Sequence, residues 1–164
     1  MTFYSTSPEA LFFDAARKGD LAYLQQIIQS GTALDIKDGR GFTPLIIATY
    51  DGHEEAARLL LEAGAEVNTQ DAGGNTALMG VCFKGYNEIA KLLLQKGASP
   101  DLQNGNGGTA LMFATLFGRN QLVRTMLEAG AETTIQDNRG LTAFDLAVQQ
   151  GNEEAIAIFQ EHQK

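Results

Sequence analysis

Residues 53–57 read His-Glu-Glu-Ala-Ala and begin like a zinc-binding helix, in which two histidines four residues apart hold the metal. The second histidine position is occupied by Ala57, and the chain has one other histidine, His162. A zinc site needs three or four nitrogen, sulfur or oxygen ligands from the protein. We therefore predict no metal site and a structural role for His53.

Residues 105–110, Gly-Asn-Gly-Gly-Thr-Ala, superficially match a dinucleotide-binding fingerprint. That fingerprint requires a strand before it and an acidic residue about 20 positions later within a βαβ unit. The fragment instead falls where the other repeats of this chain, described below, have a turn. We predict that it binds no nucleotide.

The single cysteine, Cys82, could act as a nucleophile only with a lowered pKa and a base beside it. Lys84 is close in sequence but no histidine is, and the equivalent slots of other units hold Thr49, Thr115 and Val148. We predict a buried, unreactive thiol. Because no nucleophile–base pair is evident, we expect the chain to be no enzyme and to use no cofactor.

The chain repeats itself every 33 residues without an insertion. Glycines and threonines recur in register at Gly41, Gly74, Gly107 and Gly140 and at Thr43, Thr76, Thr109 and Thr142. Periods of 20 to 50 residues are typical of stacked repeat proteins. We predict one domain over residues 1–164, made of units 38–70, 71–103 and 104–136 between an N-terminal cap (5–37) and a C-terminal cap (137–164).

Each full unit predicts a turn followed by two short helices. In the first of them Asp38 accepts hydrogen bonds from amides of the turn, Thr43 caps the first helix, and Pro44 takes its first position. Gly52 separates the two helices and Gly64 ends the second. Helices of about ten residues are marginal alone, so the units must stabilise one another.

Composition limits the classes of partner. A formal net charge of -8 argues against nucleic acid and favours a protein partner that is neutral or basic at its contact surface. The acid lies toward the ends of the chain, since units 71–103 and 104–136 each sum to zero. No apolar run is long enough to span a bilayer, so we expect no membrane partner. One cysteine and no evident signal peptide favour a cytoplasmic protein, with export after removal of a signal as the alternative left open.

These residues resemble the ankyrin repeat. The Asp-x-x-Gly-x-Thr-Pro-Leu opening, Gly52-His53, Leu59-Leu60-Leu61 and Gly64-Ala65 follow its pattern, and the resemblance covers about residues 7–160. It implies an all-α solenoid of helix-turn-helix units with β-turn tips, which recognises proteins and has no catalytic residues. The histidine that usually follows Thr-Pro-Leu is replaced by Ile46, Met79, Met112 and Asp145. We therefore expect apolar packing, and no polar network, between neighbouring turns.

In the geometry that the resemblance implies, the turn tips and first helices form a concave face. Tyr50, Phe83 and Leu116 occupy equivalent positions in three units, with Phe117 beside them. Exposed aromatic residues in one patch usually mark a contact site, whereas the alternative is that they only cover the helices beneath. The predicted partner-binding residues are Arg40, Phe42, Tyr50, Asp51, Met79, Phe83, Lys84, Met112, Leu116, Phe117 and Arg139.

The sequence thus predicts a protein–protein interaction module that is monomeric alone and acts as an inhibitor or adaptor. The alternative is a homo-oligomeric scaffold that uses the same face on a second copy of itself.

Overall fold

The computed structural model describes residues 7–164. Of the predicted N-terminal cap 5–37, residues 5 and 6 lie outside the described residues. The part described contains ten α-helices and no strand. The first helices of the units are α1 (Pro8–Lys18), α3 (Pro44–Tyr50), α5 (Ala77–Lys84), α7 (Ala110–Leu116) and α9 (Ala143–Gln150). The second helices are α2 (Leu21–Gln29), α4 (Glu54–Glu62), α6 (Asn87–Gln95), α8 (Asn120–Glu128) and α10 (Glu153–His162).

The starts of the first helices have the caps that the sequence predicts. The Thr43 side chain accepts a hydrogen bond from the Ile46 amide, and the threonines of the next three units do the same three residues ahead. At the N-terminal cap, Ser7 takes this role toward the Ala10 amide, and Pro8 is the first helical residue. These caps satisfy amides that have no partner within the helix.

The helices stack in two layers. Each first helix contacts the first helices of neighbouring units, each second helix contacts the second helices of its neighbours, and the two helices of a unit contact each other. Leu24, Leu60, Leu93 and Leu122 are completely or almost completely buried between them. Apolar burial is therefore continuous along the array, as a repeat protein requires.

Each turn tip is tied internally by its first residue. The Asp38 carboxylate accepts hydrogen bonds from the Arg40 and Phe42 amides at 2.9 and 3.0 Å, which confirms the predicted turn. Gly41 follows with a φ of 81°. This left-handed conformation favours glycine, because a Cβ is strained there.

Neighbouring tips are joined by a polar ladder, which corrects the expectation of purely apolar packing. The ladder has one backbone hydrogen bond at each step: Ala72 N–H to Arg40 O, Gly105 N–H to Gly73 O, and Asn138 N–H to Asn106 O. Glutamine side chains add to it. The amide of Gln70 donates to the Gln103 carbonyl, and that of Gln103 donates to the Gln136 carbonyl. The histidine network is absent, but these amide groups provide polar contacts between turns in its place.

The helices of the described region are short. None is long and apolar enough to cross a bilayer.

Candidate functional site

An aromatic row runs across the first helices of three units. The Tyr50 and Phe83 rings are parallel with centroids 6.3 Å apart, and Phe83 meets Phe117 edge-on at 4.6 Å. Phe113 lies parallel to Phe117 at 6.3 Å. These are favourable separations and orientations for aromatic pairs. We call these four residues the aromatic row. Tyr50 and Phe117 are 41% and 43% exposed, so the row presents apolar surface to solvent.

A cavity of about 490 Å³ lies against the aromatic row, between the tips and first helices of units 38–70 and 71–103. Its apolar walls are Phe42, Ile47, Tyr50, Phe83 and Phe113, and Met79 and Ile46 lie at its floor. Arg17, Arg40, Asp51 and Asp71 supply the charges around it.

A second cavity, of about 350 Å³, lies one unit further along the same face. The predicted residues Met112, Leu116 and Arg139 line it, and Phe113 also belongs to its lining. Phe113 thus borders both cavities. We keep the name concave face for the surface formed by the turn tips and the first helices, on which both cavities lie.

The structure brings the predicted site residues onto this one face. The ammonium group of Lys84 lies 4.8 Å from the centroid of the Tyr50 ring, and the Arg40 guanidinium lies 4.2 Å from the centroid of Phe42. Met79 and Met112 are only 2% and 4% exposed. They form the floor of the cavities and offer a partner almost no surface. Whether these residues bind a partner stays a prediction.

Two residues of the face were missed by sequence reasoning. Arg17 lines the first cavity and stands 33 residues before Tyr50, so the repeat period itself could have found it. The divergent first unit hid that correspondence. Phe113 lies one helical turn before Phe117 and had no such signal, because Ile47, Gly80 and Leu146 occupy its equivalent positions.

The tip carboxylates are already engaged within their turns. Burial alone would raise the pKa of Asp38, but hydrogen bonds from the Phe42 and Arg40 amides and from the Arg40 guanidinium outweigh it and lower the pKa. Asp137 has a lowered pKa for the corresponding reasons, with Leu141 and Arg139 as donors. The guanidinium groups remain largely accessible, since the side chains of Arg40 and Arg139 are 63% and 64% exposed. These arginines can contact a partner without leaving their turns.

The residues that resemble a zinc site, a nucleophile and a nucleotide-binding loop all have a structural role or lie in the core. The ring nitrogen Nε2 of His53 lies 2.8 Å from the Arg17 carbonyl oxygen, so His53 links two units. Cys82 is fully buried in α5, and burial raises the pKa of its thiol. Residues 105–108 form a turn tip with no strand before it in the described chain. Nowhere in residues 7–164 do three or more His, Cys, Asp or Glu residues come close enough to hold a metal ion.

Within residues 7–164, ten helices paired in units, glycine turns at the tips and an apolar face lined by first helices define a helical repeat protein. The family model for ankyrin repeats (3 copies) matches residues 12–104 and 81–164, which together cover most of the chain. The chain belongs to the ankyrin repeat family. Ankyrin repeats generally mediate protein–protein interaction and are typically non-enzymatic.

One similar protein is ankyrin repeat domain-containing protein 29 of Danio rerio, which is 46% identical over 63 residues. The aligned region is 37% of this chain and 21% of the relative. The match therefore spans about a fifth of that protein and supports shared repeats rather than a shared partner.

Proposed function

We propose that this chain binds a partner protein through its concave face and thereby inhibits the partner or links it to another protein. The single observation that carries the proposal is the aromatic row. In the last unit Gln149 stands in the slot of Tyr50 and Phe83, and Gln150 stands in that of Phe117. The solenoid therefore does not need large apolar side chains at these three positions of the row. Aromatic residues and arginines are enriched among the residues that dominate binding energy at interfaces.

Cations along the face would orient the partner. Arg40, Lys84 and Arg139 stand beside the aromatic surfaces, and guanidinium groups pair with carboxylates in bidentate geometry. The overall charge of -8 favours a partner that is neutral or basic in total. A partner with a few carboxylates within a neutral or basic surface would satisfy both conditions.

The test is affinity capture from the source cell with the wild-type chain and with Phe83→Ala. Truncation of a central interface residue often costs about 2 kcal/mol, so we expect the captured partner to bind Phe83→Ala roughly 30-fold more weakly. Phe83 is half-buried and lies over the first helices. Its loss should change the unfolding midpoint little.

The matched control is Glu54→Ala. Glu54 is in the first turn of α4 and lines neither cavity, so its loss should leave binding nearly unchanged. If Phe83→Ala binds normally and Glu54→Ala does not, the chain uses its other face and the proposal is wrong. Self-association, the alternative use of the same face, is tested by sedimentation of the purified chain. A monomer at every concentration removes that alternative.

A further inference from the structure

At one of the equivalent positions of the first helices, the residue is a glycine and has no side chain. Ile47, Phe113 and Leu146 occupy the same slot in α3, α7 and α9, whereas α5 has Gly80. Glycine inside a helix destabilises it relative to alanine. Gly80 has no positive φ that would require glycine, so the backbone conformation does not explain its presence.

The missing side chain leaves room for the first cavity. A Cβ placed on Gly80 would lie 3.3 Å from Cδ2 of Tyr50, which already extends over that position. The Phe83 and Phe113 rings form further walls. A larger residue at this slot would occupy part of the space that these rings line.

The edge of this cavity carries cations that are available for contact. Arg17 is exposed and makes no ion pair within the described residues, and Arg40 is largely exposed despite its bond to Asp38. Of the two acids in the lining, Asp71 uses its carboxylate to accept bonds from the turn amides of Gly73 and Asn75. Asp51 is the exposed acid there. An apolar cavity with guanidinium groups at its edge is complementary to an apolar side chain that has a carboxylate beside it.

We propose that the first cavity, which Gly80 lines and which we call the Gly80 cavity, receives one large apolar side chain of the partner protein. An Asp or Glu next to that side chain in the partner pairs with Arg40 or Arg17. The proposal rests on the proposed function and specifies the partner's contact segment. The cavity volume is within the range of about 300–1,000 Å³ that is usual for ligand pockets. It can therefore hold a leucine or phenylalanine side chain together with part of its backbone.

The experiment uses synthetic hexapeptides, blocked at both ends, of sequence Ser-Gly-Leu-Asp-Gly-Ser and its Phe-for-Leu version. Two control peptides replace Leu by Ala or Asp by Lys. Each is titrated into the full chain while the methyl signals of Met79, Ile46 and Ile47 are followed by NMR. Burial of a leucine side chain predicts at least about tenfold tighter binding than the Ala peptide. An exposed ion pair predicts about two- to fivefold tighter binding than the Lys peptide.

Variants of the chain separate the two contacts. Gly80→Leu places in α5 a side chain like those of the neighbouring helices, and should weaken the Leu–Asp peptide at least tenfold. Gly80→Ala should raise the unfolding midpoint slightly through helix propensity, which shows that the helix tolerates a side chain. In Arg40→Gln, the chain should lose part of its preference for the Asp peptide over the Lys peptide. It should keep its preference for the Leu peptide over the Ala peptide.

Three results would overturn the proposal. One is the absence of shifts at the methyl groups of these three residues with roughly millimolar Leu–Asp and Phe–Asp peptides. Another is equal binding of the Leu and Ala peptides, and the third is unchanged binding to Gly80→Leu. Failure of the proposed function is distinguishable from these. A captured partner that depends on Phe83 but tolerates Gly80→Leu contradicts the cavity proposal alone.

Discussion

The turn glycines provide a matched pair of substitutions for measuring how much one tip stabilises the next. Gly74 and Gly140 are equivalent and have nearly the same φ, 83° and 80°. A Cβ on Gly74 would lie 2.9 Å from the Gly105 amide nitrogen and 3.0 Å from Cα of Asn104, both in the following tip. A Cβ on Gly140 would have no atom within 4 Å. Alanine therefore meets the same backbone strain at both positions and a collision at only one.

The magnitudes follow from this difference. Left-handed strain costs about 1–2 kcal/mol, and the reduced freedom of the unfolded chain returns about 0.4–1 kcal/mol. The net loss of unfolding free energy expected for Gly140→Ala is thus about 0–1.6 kcal/mol. Gly74→Ala must also displace the next backbone, which strains the bond between the Gly105 amide and the Gly73 carbonyl. We expect a further loss of about 1–3 kcal/mol from overpacking and the weakened hydrogen bond.

The assay is urea unfolding followed by circular dichroism, which suits a chain without tryptophan. With a slope near 2 kcal/mol per molar urea, the extra loss in Gly74→Ala corresponds to a midpoint lower by roughly 0.5–1.5 M than that of Gly140→Ala. Equal midpoints for the two variants would refute the reasoning. They would mean that neighbouring tips move apart at no cost and that the contact between them contributes nothing.

Two further predictions concern buried residues. Leu93→Ala should lower the free energy of unfolding by about 2–5 kcal/mol, because Leu93 is fully buried in α6. Since each unit depends on its neighbours, the loss can also split unfolding into two transitions. An unchanged denaturant midpoint would contradict this packing. Cys82 should react with a chromogenic disulfide reagent only as fast as the chain unfolds, since its thiol is inaccessible and burial raises its pKa. Rapid labelling under native conditions would show that α5 opens locally, and a Cys82→Ala variant controls for nonspecific reaction.

Much of the fold could be predicted because its determinants are local and recur. The cap at Thr43 depends on contacts within about four residues, and the 33-residue period reveals the order of the units. The polar ladder was missed because the donor at Gln70 meets a carbonyl 33 residues away, in a contact that depends on how one unit rests on the next. The sequence pattern within one unit does not specify how closely the next unit packs against it.

The candidate site, like the fold, has one part that could be predicted from the sequence and one part that could not. Tyr50 and Phe83 were predicted as a row because they occupy equivalent positions, and the structure places their rings in contact. The cavity at Gly80 was not predicted, since its walls come from three units and it depends on a side chain that is missing. A periodic pattern reveals what each unit contributes, but a space between units appears only when the units are assembled.

The ladder between tips also limits how such a chain can change in length. Each rung joins residues 32 or 33 positions apart, as in the bonds from Ala72 to Arg40 and from Gln70 to Gln103. One extra residue in a tip would shift the donors of that tip away from the matching acceptors of the next. Duplication of a whole unit such as 71–103 would instead reproduce every donor opposite an equivalent acceptor. The array can therefore gain or lose length in steps of one unit. The concave face that we propose for partner binding would lengthen by the same step, without redesign of the contacts between tips.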